Sequence, residues 1–236
     1  MIIRYLSNNG INGYTIIILL AYLVVILTAI VLHELSHGYA AYFNGDMTAK
    51  NTGRLSLNPM KHLTLVGTLL LLLVGFGFAR PVPIDPRNFR EYKKGMIMTS
   101  LAGVTMNFIL ALINSICLVL LLKFGQMTFE NANFAYYATG FAFALFYYGM
   151  FVNILLMVFN LLPLYPLDGF RVVETLADPD NKYVNFMYKY GNFVLLGFIL
   201  LSYLLSWFNI PDIFDMVQDL ARMVFNAIWG GIGVSI

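Results

Sequence analysis

The sequence has little charge and almost no cysteine. Only 11% of its 236 residues are charged, against about 25% in ordinary soluble domains. Hydrophobic residues make up 60% of the chain, and its mean hydropathy is +0.76. This composition predicts an integral membrane protein, with the lipid bilayer as its main environment. The single cysteine, Cys117, excludes an internal disulfide, and a net charge of +2 is too small to indicate a nucleic-acid partner.

Long hydrophobic runs, in contrast, are abundant. Four of them can cross roughly 30 Å of hydrocarbon. They are Tyr14 to Phe43, Met96 to Lys123, Ala138 to Leu162, and Gly191 to about Trp207. A fifth run, Leu65 to Ala79, is shorter and contains three glycines, so we expect it to enter the membrane and return. The predicted fold is an all-α polytopic membrane protein with about four transmembrane helices.

The basic residues predict how these runs are oriented. If the fifth run is re-entrant, segments 44–64, 80–95 and 164–190 lie on one side of the membrane. They carry 11 of the 14 basic residues. Loops rich in lysine and arginine stay in the cytoplasm, so this side is predicted to be cytoplasmic and the amino terminus to lie outside.

The carboxyl end has a different pattern from the four long runs. Between Asp212 and Asn226, polar residues recur at spacings of three and four, which predicts an amphipathic helix. We expect it to lie on the outer surface or to pack on a partner. Its predicted apolar face consists of Ile213, Val217, Leu220, Val224 and Ile228. We expect residues 1–236 to form a single membrane domain, with a catalytic core at about 14–171 and accessory helices at about 191–236.

Histidine is scarce, yet two of the three histidines lie in one motif inside the first apolar run, His33-Glu34-Leu35-Ser36-His37. In a helix, at about 100° per residue, His33 and His37 share a face and can hold one metal ion. Glu34 points away from this pair but can reach a water on the metal, which makes it the candidate general base. The alternative is two histidines that are hydrogen-bonded inside a helix bundle. Ionisable groups at membrane depth favour a function.

Catalytic zinc generally takes three protein ligands and leaves one position for water. Asp168 is the best candidate for the third ligand, because it follows the third long run on the same side of the membrane as His33 and His37. Gly169 would permit a tight turn beside it, and an Asx turn is the alternative role of the carboxylate. His62, the remaining histidine, stands in a basic loop, where exposure or loop packing explains it better than ligation. We therefore expect one Zn²⁺ per chain.

These motifs and three loops resemble the site-2 protease family of intramembrane metalloproteases, in its short prokaryotic type without PDZ or CBS domains. The resemblance covers about Ile26 to Arg171. The loops are Gly45-Asp46-Met47-Thr48-Ala49-Lys50, Gly53-Arg54-Leu55-Ser56-Leu57-Asn58-Pro59 and Arg80-Pro81-Val82-Pro83-Ile84-Asp85-Pro86-Arg87-Asn88-Phe89.

The resemblance implies a three-helix catalytic core in a prokaryotic cell membrane, in which His33, His37 and Asp168 bind zinc and Glu34 activates water. It also implies that the substrate is a transmembrane segment, unwound locally before cleavage. Membrane β structure after the first core helix is another family trait, and it fits a β-hairpin in the re-entrant run.

Two asparagines are candidate contacts to the substrate or to a water channel, namely Asn107 and Asn160. The family often has Gly-Pro-x-x-Asn where this chain has Gly103-Val104-Thr105-Met106-Asn107, so the geometry around Asn107 is open. A hydrogen bond between helices is the alternative role for both side chains.

The sequence thus predicts an intramembrane zinc metalloprotease that hydrolyses peptide bonds within or near transmembrane segments. A metal-ion transporter is the main alternative, because imidazoles and carboxylates in membrane spans also form ion pathways. A non-catalytic scaffold that captures transmembrane helices is the second. The sequence leaves the oligomeric state open, and a homo-oligomer is one option.

Overall fold

The computed structural model describes residues 10–64, 67, 79–125, 134–208 and 210–232. This part of the chain contains seven α-helices, three short 3₁₀ turns and no named strand. The helices are α1 (Gly13–Phe43), α2 (Thr48–Asn51), α3 (Tyr92–Phe124), α4 (Phe134–Leu161), α5 (Asp168–Leu176), α6 (Lys182–Trp207) and α7 (Ile213–Trp229). The 3₁₀ turns are Pro59–Lys61, Pro86–Asn88 and Gly230–Ile232.

Four helices, α1, α3, α4 and α6, are long and apolar enough to cross a membrane, which confirms the four predicted spans. The largest difference lies at the start of α6, which begins at Lys182 rather than Gly191. Asn181 caps this helix, because its side-chain oxygen accepts hydrogen bonds from the N–H groups of Tyr183 and Val184. A capping side chain, rather than the edge of the apolar run, therefore sets where the helix begins.

Helices α1, α3 and α4 pack closely against one another and form a three-helix bundle. Its largest buried apolar cluster joins Tyr22, Val25 and Ile26 of α1 to Phe151 and Val152 of α4. Small residues allow this close approach, as is usual for helices in lipid. The buried Ala21 and Ala29 serve this purpose on α1.

The loops at one end of this bundle are joined by Asp46. Its carboxylate is fully buried and accepts hydrogen bonds from the backbone and hydroxyl of Thr48, the amide of Asp85 and the side chain of Asn88. Arg90 N–H also donates to the carbonyl of Asn44. The basic loops that follow α1 and precede α3 therefore lie together at this end.

The fifth apolar run lies almost entirely outside the described residues, but its flanks are described. Leu63 and Ala79 form an isolated antiparallel bridge, and Arg80 N–H donates to the carbonyl of His62 at 2.7 Å. The two ends of the run are therefore adjacent, as a re-entrant segment requires. Its expected path into the membrane, and a hairpin there, stay predictions.

The carboxyl-terminal helix, α7, packs on the bundle of its own chain. Val217, Ala221 and Phe225 are buried against α1, α3 and α4. The predicted apolar face is therefore only partly right, because Leu220, Val224 and Ile228 are exposed. The helix has apolar residues on two faces, of which one packs on the bundle and the other faces outward.

Candidate metal centre

The two histidines of the HExxH motif are buried on the inner face of α1. One turn of helix separates them, so their rings meet edge to face with centroids 4.6 Å apart. Their Nε2 atoms are 3.0 Å apart. Each imidazole therefore points the same ring nitrogen to one place between α1 and α3.

Asp168 brings a carboxylate to the same place. Its Oδ2 atom lies 3.3 Å from His33 Nε2 and 3.2 Å from His37 Nε2. Asp168 is the first residue of α5, a short helix that the sequence had not indicated. Gly169 does not form the expected tight turn, since its φ is not positive. Instead, a side chain there would collide with the carbonyls of Leu161 and Leu162, so glycine allows α5 to pack on the end of α4.

The other ring nitrogens determine which atoms face the cluster. His37 Nδ1 lies 2.7 Å from the carbonyl oxygen of Thr99, and His33 Nδ1 lies 2.5 Å from Asn107 Oδ1. Both oxygens can only accept, so both Nδ1 atoms carry the proton. In the neutral rings, the two Nε2 lone pairs consequently face each other and Asp168 Oδ2.

Three electron-pair donors at such distances repel one another unless a cation lies between them. Asp168 Oδ2 is buried and has no hydrogen-bond donor, as this arrangement requires. Tetrahedral zinc with bonds of about 2.0–2.1 Å would hold its ligand atoms about 3.3 Å apart. Gly103 also leaves space here, because a Cβ at this position would lie 2.5 Å from His37 Nε2 and His33 Cε1. The donor set and its spacing fit a zinc ion.

Glu34 lies on the wall of a cavity beside these three residues. Its Oε2 atom accepts a hydrogen bond from the backbone N–H of Val82 at 3.0 Å. Arg54 holds the preceding backbone, since its guanidinium donates to the carbonyls of Arg80 at 2.7 Å and Pro81 at 3.1 Å. The extended segment before α3 therefore fixes one oxygen of Glu34.

A cavity of about 280 Å³ opens beside the cluster. That volume is roughly twenty times what one water molecule needs. Its polar wall includes the HExxH residues, Ser100 and Asn160, and the exposed Arg171 lies at its loop end. The apolar wall includes Ile30, Met96, Leu156 and Phe159. The cluster is thus reachable from a space large enough for a peptide backbone.

The predicted site residues fall into two groups. The structure brings His33, Glu34, His37, Asp168 and Asn160 together at the cavity. Asn107 lies behind His33 instead, fully buried and bonded to it.

His62 is separate from the cluster. It is fully buried in the loop after α2, and its Nε2 lies 2.7 Å from the carbonyl of Ser56. Loop packing, rather than exposure, therefore describes His62.

Sequence reasoning missed Asn153 and the backbone carbonyl of Thr99. Asn153 is buried on α4 and its Oδ1 accepts a hydrogen bond from Asn107 Nδ2 at 2.8 Å. It lies seven residues before Asn160 and therefore on the same helix face, which was a signal in the sequence. No sequence signal marks the carbonyl of Thr99.

Among the described residues, histidine, cysteine and acidic side chains form one group able to hold a metal, namely His33, His37 and Asp168. The fold and this group define a multi-pass membrane protein with a metalloprotease-type zinc centre.

The comparisons agree with this class. The model of Peptidase family M50 matches residues 21–201, and the chain belongs to that family.

Curated relatives support the assignment. The candidate zinc metalloprotease YwhC of Bacillus subtilis is 43% identical over 162 residues, which are 68% of this chain and 71% of the relative. The candidate zinc metalloprotease Rip2 of Mycolicibacterium smegmatis is 29% identical over 188 residues, 77% of this chain and 67% of the relative. No solved structure matches the chain at a significant level. The protein is an intramembrane zinc metalloprotease of family M50.

Proposed function

We propose that this metalloprotease hydrolyses peptide bonds within or near transmembrane segments of other membrane proteins. In this proposal His33, His37 and Asp168 hold one zinc ion and Glu34 is the general base. The observation that carries it is the meeting of three electron-pair donors 3.0–3.3 Å apart, with both remaining histidine nitrogens bonded to acceptors.

Zinc, when bound, acts as a Lewis acid that polarises the scissile carbonyl and lowers the pKa of a water molecule towards about 7. Glu34 takes a proton from the water while the oxygen atom of that water attacks the carbonyl carbon. The same carboxyl group then gives that proton to the amide nitrogen as the carbon–nitrogen bond breaks. The products are a new carboxylate and a new amine.

The contact between Glu34 and Val82 suits this role. The Val82 N–H holds Oε2 and restricts rotation of the carboxylate. Because only one oxygen is held, the other is available to the water. General-base catalysis requires the base within hydrogen-bond reach of the proton it removes, and holding one oxygen reduces the number of rotamers that the carboxylate samples.

The cavity walls support a membrane-protein substrate. Ile30, Met96 and Leu156 line the space beside the zinc ligands and belong to helices that can span the membrane. An apolar substrate segment can therefore pass from lipid to the cluster along an apolar wall. Its peptide bond must be exposed for attack, which requires local unwinding, because a helix occupies its own carbonyls.

Water should reach the site from the cytoplasm. The loops joined by Asp46 lie at the end of the bundle where Asp168 and Arg171 are found. These are the basic loops, and basic loops favour the cytoplasmic side. The polar wall of the cavity ends at these loops, so the proposed water path is short.

The experiment replaces the proposed base and one proposed ligand in the purified full chain. Glu34→Gln should retain one zinc per chain, because glutamate is not a ligand, and should lose cleavage of a transmembrane substrate by at least about 100-fold. His37→Ala should lose the metal itself. Glu91→Gln, at an exposed glutamate before α3, is the matched control and should leave both properties unchanged.

Cleavage and zinc content are measured on the same samples. Undiminished cleavage by Glu34→Gln would contradict the role of Glu34, whereas full zinc content in His37→Ala would contradict the ligand set. Zinc uptake into sealed vesicles, without any peptidase activity, would replace the proposal with metal transport.

A further inference from the structure

A chain of hydrogen bonds runs from the middle of α4 to the metal cluster. Asn153 Nδ2 donates to the carbonyl of Gly149 at 2.7 Å, and Asn107 Nδ2 donates to Asn153 Oδ1 at 2.8 Å. Asn107 Oδ1 lies 2.5 Å from His33 Nδ1. We propose that Asn153 is a positioning residue, which fixes the protonation site of the ligand His33 through Asn107.

The direction of this chain follows from its first member. The carbonyl of Gly149 can only accept, so the nitrogen of Asn153 must face it and the oxygen must face Asn107. That oxygen in turn requires the nitrogen of Asn107. The remaining oxygen of Asn107 therefore faces His33, where it can only accept a proton from Nδ1.

The consequence for His33 is a free Nε2. A neutral imidazole has one proton, and a bond from Nδ1–H leaves the lone pair on Nε2 for a metal. Asn107 alone cannot ensure this, because its amide can turn over and offer a donor to Nδ1. Asn153 prevents the turn, since a reversed Asn107 would place two oxygens against each other.

The two ligand histidines differ in this respect. Thr99 holds His37 with a backbone carbonyl, which cannot be reversed. His33 depends on two side chains, both buried, with Asn107 fully buried and Asn153 only 3% exposed. Solvent does not reach either side chain in the wild type, so there the direction of the bond to His33 depends on Asn153.

The test measures zinc affinity in the purified full chain by competition with a chelator. Asn153→Ala should weaken zinc binding about 10- to 100-fold, the usual cost of losing a partner behind a metal ligand. Asn114→Ala is the matched control. Asn114 also donates to the carbonyl four residues before it at 2.7 Å, and it lies against Gly149. Asn114 is not part of the hydrogen-bond chain to His33, so the zinc affinity of the Asn114→Ala variant should stay within about threefold of the wild type.

A second variant separates positioning from support of the fold. Asn107→Asp puts a carboxylate against His33, and a carboxylate can only accept, whatever lies behind it. If Asn153 acts through the direction of Asn107, Asn107→Asp combined with Asn153→Ala should recover most of the lost affinity. The visible absorption of bound Co²⁺ should report the same changes, since it responds to the atoms that ligate the ion.

The inference rests on the proposed function, because it assumes that His33 binds zinc, and the two can fail separately. Wild-type protein without stoichiometric zinc would reject the ligand set. Zinc bound by the wild type and equally by Asn153→Ala would reject only the role of Asn153. If Asn153→Ala does not fold, the double variant decides. Its failure to fold or to bind zinc would show that Asn153 supports the bundle rather than His33.

Discussion

Helices α1 and α6 are both long enough to cross a membrane, yet they are packed very differently. α1 buries thirteen of its 31 residues, including both histidines of the HExxH motif, whereas α6 buries four of 26. Three of those four, Val184, Met187 and Gly191, lie in its first ten residues. The rest of α6 is largely exposed on the surface of the chain.

The difference shows where polar chemistry can be placed in a membrane protein. An unsatisfied polar group in lipid costs several kcal/mol, so the histidines, Asp168 and their hydrogen-bond partners need helices that exclude lipid. The bundle provides this, and among the described residues it contains the hydrogen-bond chain that ends at His33. α6 presents an apolar face instead, to which lipid is an adequate partner.

Substitutions at two glycines, one in the bundle and one in α6, test this difference in packing, and the first has the largest effect that we expect. Gly103 of α3 is buried, and a Cβ there would lie 2.5 Å from His37 Nε2. Gly103→Ala should displace the imidazoles, at a cost of up to about 3 kcal/mol. We expect zinc affinity to fall about 100-fold, measured by chelator competition.

Gly197→Ala in α6 is the control for this substitution. Nothing lies within 4 Å of the added methyl group, so zinc affinity and thermal stability should not fall. Equal loss in both variants would mean that α6 supports the metal centre as closely as the bundle does. Wild-type zinc affinity in Gly103→Ala would mean that the imidazoles can move without cost.

Much of the site could be predicted from the sequence, because local geometry determines it. His33, Glu34 and His37 lie within about one turn of α1, and their arrangement follows from 3.6 residues per turn. Asp168 required more: an estimate of depth and of membrane side, which the placement of basic residues supplied. The structure brings these predicted residues together in one group, although the nine-residue helix that begins at Asp168 was not foreseen.

The groups that hydrogen-bond to His33 and His37 could not be predicted in the same way. The carbonyl of Thr99 carries no side-chain signal, and Asn107 meets Asn153 only because α3 and α4 pack in one register. Contacts between helices depend on that register, which hydropathy does not fix. The apolar face of α7 was misplaced for a related reason, since both of its apolar faces satisfy a helical period.

At the loop end of the bundle, we expect a smaller effect from replacing Asp46. Asp46→Asn converts one acceptor oxygen into a donor, which must face either the N–H of Asp85 or the donors of Thr48 and Asn88. Leaving such a buried group unpaired should lower the free energy of unfolding by about 1–2 kcal/mol. Zinc affinity should change little, because these loops join the ends of helices rather than hold the ligands. Thermal unfolding and chelator competition on one sample measure both.

The same carboxylate predicts a pH dependence with a definite sign. Burial alone would raise the pKa of Asp46, but the hydrogen bonds from Thr48, Asn88 and Asp85 outweigh it and hold the pKa below its ordinary value of 3.8. A lowered pKa in the folded state stabilises the protein above that ordinary value, and this stabilisation is lost as the pH falls through the folded pKa. The difference in unfolding temperature between wild type and Asp46→Asn should therefore shrink on the acid side of 3.8. Asp178→Asn, at an exposed loop position, is the control for the substitution itself and should leave the unfolding temperature nearly unchanged. If the difference in unfolding temperature stays constant below pH 3.8, the charge of the Asp46 carboxylate does not stabilise the packing of these loops. Stability would then depend on the bundle alone.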